Sequence, residues 1–302
     1  MTQPPLEEWL EARWLNHPDV EIHRAEALAR HTSMGIGGPA PALLVLHTWE
    51  ALEVVLRAAH GAEISLMPLG GGSNTVFSDA PLDRYVFKLG RDFQSFQIMF
   101  GARIEVGAAA TLTQLLKAAA KLGLSGLEFT YGIPGTLGGA LAGNAGAQGT
   151  GICELVDNVE VYTFSGRRKF FTQGEFEFHY RQSELKQYVI TKAMLQLKPS
   201  SRAEVADRLE TYKSKRWTQP LGVKCSGCVF KNPPGDHAGR LIDAAGLKGA
   251  RVGGVEVSAV HANFFINNSH GTMGDLAHLI ELVRGKVKEK FGVELELEIQ
   301  IF

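Results

Sequence analysis

Four parts of the chain carry apolar residues at helical spacing, and this pattern predicts amphipathic helices. The predicted helices cover residues 50–60, 111–122, 203–217 and 273–291. Thr48 is the expected N-cap of the first helix and Gly61 its end, because a hydroxyl caps free N–H groups and glycine readily terminates a helix. Thr272 and Asp275 form the expected capping box of the last helix, which ends at Gly292. The apolar face of that helix comprises Leu276, Leu279, Ile280, Val283, Val287 and Phe291.

Shorter runs predict β-strands, either because they are continuously apolar or because apolar and polar residues alternate. These runs cover residues 64–69, 84–89, 103–106, 156–164, 189–197 and 293–301. The two-residue period of the last run places Glu294, Glu296 and Glu298 on one face, as in a solvated strand surface. Because helices and strands interleave without long repeats, we expect a fold of mixed α and β structure.

Composition and charge favour a globular protein that binds small molecules. The 302 residues are 45% hydrophobic and 21% charged, which suits two or three domains. The net charge of -1 gives no basic field for nucleic acid or an anionic membrane. The first residues include acids, no apolar run is long enough to span a membrane, and we expect a cytoplasmic protein. The cysteines Cys153, Cys225 and Cys228 are too few for a disulfide framework.

Two glycine-rich segments carry the most specific chemical information. Residues 131–151 contain eight glycines and no charged side chain, and residues 69–74 read LGGGSN. Glycine loses much chain entropy on folding, so such density indicates that bare backbone N–H groups are needed at one surface. In residues 70–74 and 132–139 these groups can converge on the phosphates of an anionic cofactor. The alternative is that both segments are tight turns whose glycines serve packing.

Neither glycine segment matches the dinucleotide fingerprint GxGxxG, and the phosphate-loop pattern GxxxxGK[ST] does not occur. A different pyrophosphate cradle is therefore expected. The ten histidines include no HExxH motif and no compact cluster with acids, so we expect no metal.

Ordered motifs over nearly the whole chain point to one family. They are HTSMGIGGPA at 31–40, LGGGSN at 69–74, GIPGTLGGALAGNAGA at 132–147, YRQS at 180–183, GCVFKNP at 227–233, AAGLKG at 244–249, HANF at 261–264 and LELE at 295–298. The chain thereby resembles the UDP-N-acetylenolpyruvoylglucosamine reductases of peptidoglycan synthesis, in their shorter, type II subclass. These enzymes belong to the flavoproteins of the p-cresol methylhydroxylase type.

The resemblance implies an α+β fold that binds FAD noncovalently. Residues 1–90, rejoined by a C-terminal strand at 293–302, and residues 91–219 would form two FAD-binding subdomains, and residues 220–292 an α/β substrate domain. The implied reaction reduces UDP-N-acetylglucosamine enolpyruvate to UDP-N-acetylmuramate with NADPH, a cytoplasmic step in cell-wall biogenesis, on which cell shape and division depend. We expect a monomer with no nucleic-acid or membrane partner.

The motif positions imply three catalytic residues. Arg181 matches the family's arginine, whose permanent charge and planar fork suit a carboxylate that becomes more negative. Glu298 matches the C-terminal glutamate that shares a proton with the enolate or orients it. Cys228 stands where the family usually has serine, and a thiol with a reference pKa of about 8.5 can donate a proton while its thiolate cannot.

Further site residues follow from the same resemblance. The cofactor would be held by Gly70, Gly71, Gly72, Ser73, Asn74, Gly132, Ile133, Pro134, Gly135, Thr136, Gly138, Gly139, Asn144, Ala145 and Gly146. The substrate would be held by Tyr180, Lys231, Asn232 and Arg216, with Lys224 as an alternative to Arg216 at the diphosphate. His261 and Asn263 would support the site, His261 as a buried, hydrogen-bonded side chain.

Two rival functions remain open at this point. One is an oxidase of the same flavoprotein superfamily, which would need a different substrate domain. The other is a redox sensor that uses the CxxC pair of Cys225 and Cys228. Zinc would need more than these two ligands, and a thioredoxin-type pair should open a helix, whereas Val229 and Phe230 are expected to continue a strand. A disulfide between Cys225 and Cys228 would silence a proton-donating Cys228 reversibly.

Overall fold

The computed structural model describes residues 14, 17–216, 219–220, 222–268 and 270–302. In this part of the chain, the α-helices are α1 (Trp49–Gly61), α2 (Leu112–Lys121), α3 (Leu137–Ala142), α4 (Arg202–Arg216), α5 (Ala238–Ala244) and α6 (Met273–Phe291). The β-strands are β1 (Val20–Ala27), β2 (Pro39–Leu46), β3 (Leu66–Pro68), β4 (Thr75–Val76), β5 (Tyr85–Leu89), β6 (Phe96–Met99), β7 (Arg103–Gly107), β8 (Leu124–Ser125), β9 (Gly146–Ala147), β10 (Thr150–Gly151), β11 (Val156–Tyr162), β12 (Arg168–Thr172), β13 (Phe178–His179), β14 (Gln182–Ser183), β15 (Val189–Gln196), β16 (Lys198–Pro199), β17 (Arg251–Val252), β18 (Val255–Val257), β19 (Phe265–Asn267) and β20 (Gln300–Ile301).

Contacts divide the chain into two compact units. The first unit combines residues 40–71 and 83–214 with the described residues up to 26, and the second combines residues 27–39, 72–82 and 215–302. The three predicted domains divide the chain differently, since residues 27–39 and 72–82 belong to the second unit, and their boundaries stay a prediction. No helix in the described ranges is both long enough and apolar enough to cross a membrane.

A small sheet in the first unit has the strand order β1-β2-β5-β3, and both β2 and β3 run parallel to β5. Helix α1 connects β2 to β3, and its N-cap is confirmed because the Thr48 hydroxyl accepts the N–H of Ala51 at 3.2 Å. Gly61 lies inside the helix rather than beyond it, so the predicted end is one residue early. The buried face of α1 consists of Ala51, Leu52, Val55, Leu56 and Ala59.

A larger antiparallel sheet completes the first unit, with the order β12-β11-β15-β7-β6. Its buried residues share one core with α2 and α3. Helix α2 begins at a capping box of Thr111 and Gln114, close to its predicted start. Helix α3 lies inside the second glycine segment, where no helix was predicted because glycine disfavours helices. Burial of Leu137, Ala140 and Leu141 stabilises this short helix despite its glycines.

The second unit packs α5 and α6 with the antiparallel sheet β17-β18-β19. The prediction for α6 is confirmed at both ends, since Thr272 and Asp275 form the capping box and Gly292 has the left-handed conformation that ends the helix. Five of its six predicted face residues are buried, and Phe291 is half-buried. The predicted α+β fold class is thus confirmed.

The predicted strand at residues 293–301 is wrong over most of its length. Only β20 and an isolated bridge at Leu297 have strand pairing, although burial still alternates between Leu295, Glu296 and Leu297. Regular strand pairing is interrupted because different parts of residues 293–301 bond to different segments of the chain. The carbonyl of Glu296 accepts the N–H of Lys231, whereas the N–H of Gln300 donates to the carbonyl of Asn74. The strand expected at Val229 and Phe230 likewise consists of isolated bridges, from Cys228 to Phe264 and from Phe230 to Leu297.

Candidate active site

The two glycine segments of the sequence meet in the first unit. A Cβ atom on Gly70 would lie 2.8 Å from the Thr136 hydroxyl oxygen, and one on Gly71 would lie 2.7 Å from the Cα of Gly135. Side chains at these positions would push the segments apart. The glycines therefore permit close approach between the two segments. This is the packing role that the sequence analysis gave as the alternative to cofactor binding.

Packing does not account for every glycine in these segments. Gly71, Gly132 and Gly139 are exposed, so main chain without side chains also reaches the surface. Neither segment carries a charged side chain that would repel a phosphate. Bare backbone at a neutral surface fits the diphosphate of FAD, which main-chain N–H groups bind well.

The first glycine cluster continues into the second unit at Gly72. Its φ of +63° is in the left-handed region, and a Cβ atom there would overlap the carbonyl oxygen of His31. The carbonyl of Gly72 accepts the N–H of Ser33 at 2.9 Å. The HTS motif at residues 31–33 therefore supports the cluster, and no larger residue fits at position 72.

Asn144, a predicted cofactor ligand, points its side chain into the protein. Its amide donates to the carbonyl of His179 at 2.9 Å and accepts the N–H of Cys153 at 3.1 Å. The residue is 7% exposed and has a φ of +43°. Both ends of the side chain thus stabilise the loop, and any contact between Asn144 and a cofactor would use its main chain.

Arg181 lies in a tight hairpin between β13 and β14. His179 pairs with Gln182, so Tyr180 and Arg181 form a two-residue loop. Arg181 has a φ of +58°, which costs an L-residue about 1–2 kcal/mol and would suit glycine better. Its guanidinium lies 5.2 Å from the centre of the Tyr180 ring. A positive φ is uncommon for a residue other than glycine, and such positions occur often at functional sites.

Cys228 and Glu298 lie on neighbouring extended segments of the second unit. The N–H of Glu298 donates to the carbonyl of Val229 at 2.8 Å, directly after Cys228 in the chain. Cys228 itself forms a bridge with Phe264 on the other side. Both side chains are half-buried. The structure therefore places the main-chain segments that carry these two residues side by side.

Asn263 holds the segment that carries Cys228. Its side chain accepts the N–H of Phe230 at 2.9 Å and donates to the carbonyl of Phe230 at 2.8 Å, while its carbonyl accepts the N–H of Val229 at 2.8 Å. Asn263 is 1% exposed, so loss of these bonds would leave buried main-chain groups unpaired. The ring Nδ1 of His261 accepts the N–H of Asn263 at 3.2 Å, and burial lowers the pKa of that ring.

The predicted substrate residues of the second unit already have partners. Lys231 forms an ion pair with Glu296 at 3.2 Å, and the side-chain oxygen of Asn232 accepts the N–H of Ala238 at 3.1 Å. Arg216 bonds the side-chain amide of Gln219. The substrate-binding roles of these residues, and the choice of Glu298 over Glu296 as the acid, stay predictions.

The three thiols differ in their surroundings. None of the three is in a disulfide; Cys225 and Cys228 are half-buried, whereas Cys153 is fully buried. Burial raises the pKa of Cys153 to about 12, and its thiol donates to the carbonyl of Leu141 at 3.4 Å. Cys153 is therefore an inert core thiol, and reactive thiol chemistry is restricted to the CxxC segment.

Comparison with known proteins agrees with this arrangement. A family model described as the C-terminal domain of UDP-N-acetylenolpyruvoylglucosamine reductase matches residues 219–302, and an FAD binding domain model matches residues 40–170. The chain is 40% identical over 284 residues to UDP-N-acetylenolpyruvoylglucosamine reductase 2 of Symbiobacterium thermophilum, covering 93% of this chain and 92% of the relative. It is 33% identical over 280 residues to the reductase of Bacillus subtilis, covering 91% and 92%.

A solved structure gives the same result. The crystal structure of UDP-N-acetylenolpyruvylglucosamine reductase from Thermus caldophilus superimposes with a TM-score of 0.82 at 35% identity, covering 94% of this chain and 98% of that chain. These relatives match the chain over nearly their full length, and all of them are UDP-N-acetylenolpyruvoylglucosamine reductases. The chain is an FAD-dependent oxidoreductase that belongs to the UDP-N-acetylenolpyruvoylglucosamine reductase family.

Proposed function

We propose that this protein reduces the enolpyruvyl ether of UDP-N-acetylglucosamine enolpyruvate to the lactyl ether of UDP-N-acetylmuramate, with NADPH as the electron source. Family membership supports the reaction class. The observation that supports the proposal for this chain is the 2.8 Å hydrogen bond from the N–H of Glu298 to the carbonyl of Val229, the residue that follows Cys228.

The cofactor is assigned to the glycine segments at residues 70–74 and 132–146. Their close approach and uncharged surface support this assignment, with Ser73 and Asn74 as the side-chain contributors. Bound FAD supplies hydride-transfer chemistry, which adds a hydride to the terminal vinyl carbon of the substrate. The three-domain organisation predicted from the sequence is part of the same proposal.

Hydride addition places negative charge on the substrate carboxylate and its neighbouring carbon as an enolate. Arg181 pairs with this carboxylate, because a guanidinium offers two parallel N–H donors and a permanent positive charge. Such a donor commonly contributes 10²–10³-fold to the rate. The strained φ of Arg181 supports a role for its side chain, since a backbone optimised for stability alone would have glycine there. Glu298 orients the enolate by sharing a proton with it.

Cys228 completes the reaction by protonating the carbon next to the carboxylate. The S–H bond of the thiol breaks, a C–H bond forms, and the thiolate that remains takes a proton from solvent before the next turnover. Serine, which the family usually has at this position, can give the same proton. Cysteine differs because its thiol ionises at a much lower pH, and the thiolate cannot donate.

The substrate-binding roles of Tyr180, Lys231, Asn232 and Arg216 belong to this proposal. Lys231 would exchange the exposed carboxylate of Glu296 for a group of the nucleotide sugar, which is feasible because exposed ion pairs are weak. Tyr180 is 53% exposed next to Arg181 and offers an aromatic face to the substrate. NADPH and a nucleotide-sugar substrate are consistent with a cytoplasmic location.

Turnover by the purified protein tests the proposal. We expect NADPH oxidation only when UDP-N-acetylglucosamine enolpyruvate is present, and a product that is heavier by two hydrogen atoms in the mass spectrum. Cys228→Ala should lower kcat by about 10²-fold or more, as expected for loss of a general acid. Cys225→Ala, which removes the other half-buried thiol, is the matched control and should keep kcat. NADPH oxidation that is independent of the substrate, or a fully active Cys228→Ala variant, would contradict the proposal.

A further inference from the structure

Asn74 connects the first glycine cluster to the segment that carries Glu298. Its side-chain amide nitrogen donates to the main-chain carbonyl of Glu298 at 3.0 Å. Its own main-chain carbonyl accepts the N–H of Gln300 at 2.9 Å. Asn74 therefore contacts the chain on both sides of Ile299, which is 4% exposed and anchored in the core.

The contacts continue along the chain after Asn74 as main-chain pairing. Strand β4 pairs with β20 in parallel, with Thr75 opposite Gln300 and Val76 opposite Ile301. The N–H of Phe302 then donates to the carbonyl of Val76 at 3.0 Å. These later contacts do not depend on side-chain chemistry. The contact with Glu298 is different, because a side chain makes it and a single substitution can remove it.

Two hydrogen bonds hold the main chain of Glu298, one through its N–H and one through its carbonyl. Its N–H donates to Val229, in the segment of Cys228, and its carbonyl accepts from Asn74, in the predicted cofactor segment. The orientation of the Asn74 amide follows from chemistry, since only its nitrogen can face a carbonyl oxygen favourably. The Cα atom of Glu298, and with it the origin of its side chain, is thus fixed between these two segments.

We propose that Asn74 is a positioning residue for Glu298, in addition to any contact that it makes with the cofactor. This inference rests on the proposed role of Glu298 in the reaction. A carboxylate must stay within hydrogen-bonding reach of the enolate, and a displacement of about 1 Å can cost a large factor in rate. Loss of the Asn74 amide frees the carbonyl of Glu298 and lets the carboxylate move.

A double-mutant cycle separates this role from a direct effect on the cofactor. The variants are Asn74→Ala, Glu298→Gln and the double substitution, and kcat is measured for each at saturating FAD, NADPH and substrate. We expect Asn74→Ala to lower kcat about tenfold in the wild-type background. In the Glu298→Gln background, the same substitution should change kcat by less than about twofold, because there is no longer a carboxylate to position.

Thr75→Ala is the matched control, since Thr75 follows Asn74 and joins β20 through its main chain. We expect this variant to keep kcat. If Asn74→Ala does not fold, Asn74→Asp replaces it, because aspartate has the same shape and loses the donor at neutral pH. Hydrogen exchange in the peptide that spans residues 296–302 gives a second readout, independent of turnover, and should become faster in the Asn74 variants and not in Thr75→Ala.

The possible failures can be told apart. If Asn74→Ala lowers kcat by the same factor in both backgrounds, Asn74 acts on the cofactor or on general stability, and the positioning role is overturned while the proposed function stands. If Glu298→Gln has full kcat, the proposed role of Glu298 is itself wrong, and the positioning role fails with it. Coupling between Asn74 and Glu298, together with faster exchange in residues 296–302, is the supporting result.

Discussion

The two glycine segments are stabilised differently from the Cys228–Glu298 frame. This frame consists of the extended segments at residues 228–230 and 296–300, which Asn263 and Asn74 hold. In the glycine segments, Gly70 and Gly71 allow main chain to approach main chain, and any side chain there would be an obstruction. In the frame, Asn263 and Asn74 do the opposite, because their side-chain amides replace the ladder that the extended segments lack. One region depends on the absence of side chains, and the other depends on particular ones.

This difference teaches how each region should respond to substitution. Adding a methyl group to the glycine segments should separate them and weaken cofactor binding. Removing an amide from the frame should leave buried main-chain groups unpaired, which lowers stability and shifts the reacting groups. Arg181 combines both features, since its backbone has a conformation typical of glycine while its side chain carries chemistry.

The largest effect is expected for Arg181→Gly. Glycine adopts the φ of +58° without strain, so the variant should be more stable by about 1 kcal/mol. Loss of the guanidinium should lower kcat by about 10³-fold, as for removal of a strong donor to a developing anion. Urea unfolding and steady-state kinetics measure the two effects. A variant that is both more stable and fully active would show that Arg181 is dispensable.

Gly71→Ala should break the approach between the two glycine segments. The new Cβ would lie 2.7 Å from the Cα of Gly135, and main chain cannot yield cheaply. We expect the Kd for FAD to rise about 10²-fold, which corresponds to about 2.7 kcal/mol. Gly61→Ala is the control, because its Cβ would meet nothing within 4 Å in α1. Equal FAD affinities for the two variants, measured by flavin fluorescence, would refute the packing argument.

Asn263→Ala should destabilise the frame by about 2 kcal/mol, because the N–H and carbonyl of Phe230 lose their partners in a buried position. Asn267→Ala is a matched control in the same unit. Asn267 is also buried, donating to the carbonyl of Met34 at 2.9 Å and accepting the N–H of Gly271 at 2.8 Å. Both variants should lose similar stability in urea. Only Asn263→Ala should also lower kcat, and a similar kcat for both would contradict the frame's role.

The smallest effect is expected for alkaline stability, through the buried thiol of Cys153. Its pKa is raised to about 12, so the folded state keeps the proton while the unfolded chain releases it at lower pH. Its contribution is fully present below the unfolded pKa and is lost as pH rises toward 12. Between pH 8 and 9 the loss should be about 0.7 kcal/mol. Cys153→Ala should lose less stability over this interval, and an unchanged slope in urea unfolding would contradict the shift.

Local patterns predicted much of the fold. Helix α6 followed from its capping box, its terminal glycine and its apolar face, because each of these signals acts within one or two turns. The run at 293–301 was misjudged because its pairing changes between two distant partners, which alternation cannot reveal. Helix α3 was missed because packing of Leu137 and Leu141 outweighs the low propensity of its glycines.

The sequence predicted which residues would form the candidate site, but it predicted only part of how they are arranged. Motif resemblance identified Cys228 and Glu298, and the structure places their segments side by side. The sequence contained weaker signals for the inward orientation of the Asn144 side chain and for the positive φ of Arg181. A two-residue loop without glycine between short strands is one such signal, since a tight hairpin commonly needs a positive φ. The bond from Asn74 to Glu298 joins residues 224 positions apart and has no local signature.

The most direct test of the account is the pH dependence of kcat for the wild-type protein and Cys228→Ser. If the thiol of Cys228 donates the proton, wild-type kcat should fall at alkaline pH as the thiol ionises, while the serine variant keeps its activity to higher pH. Superimposable alkaline limbs for the two proteins would contradict proton donation by Cys228.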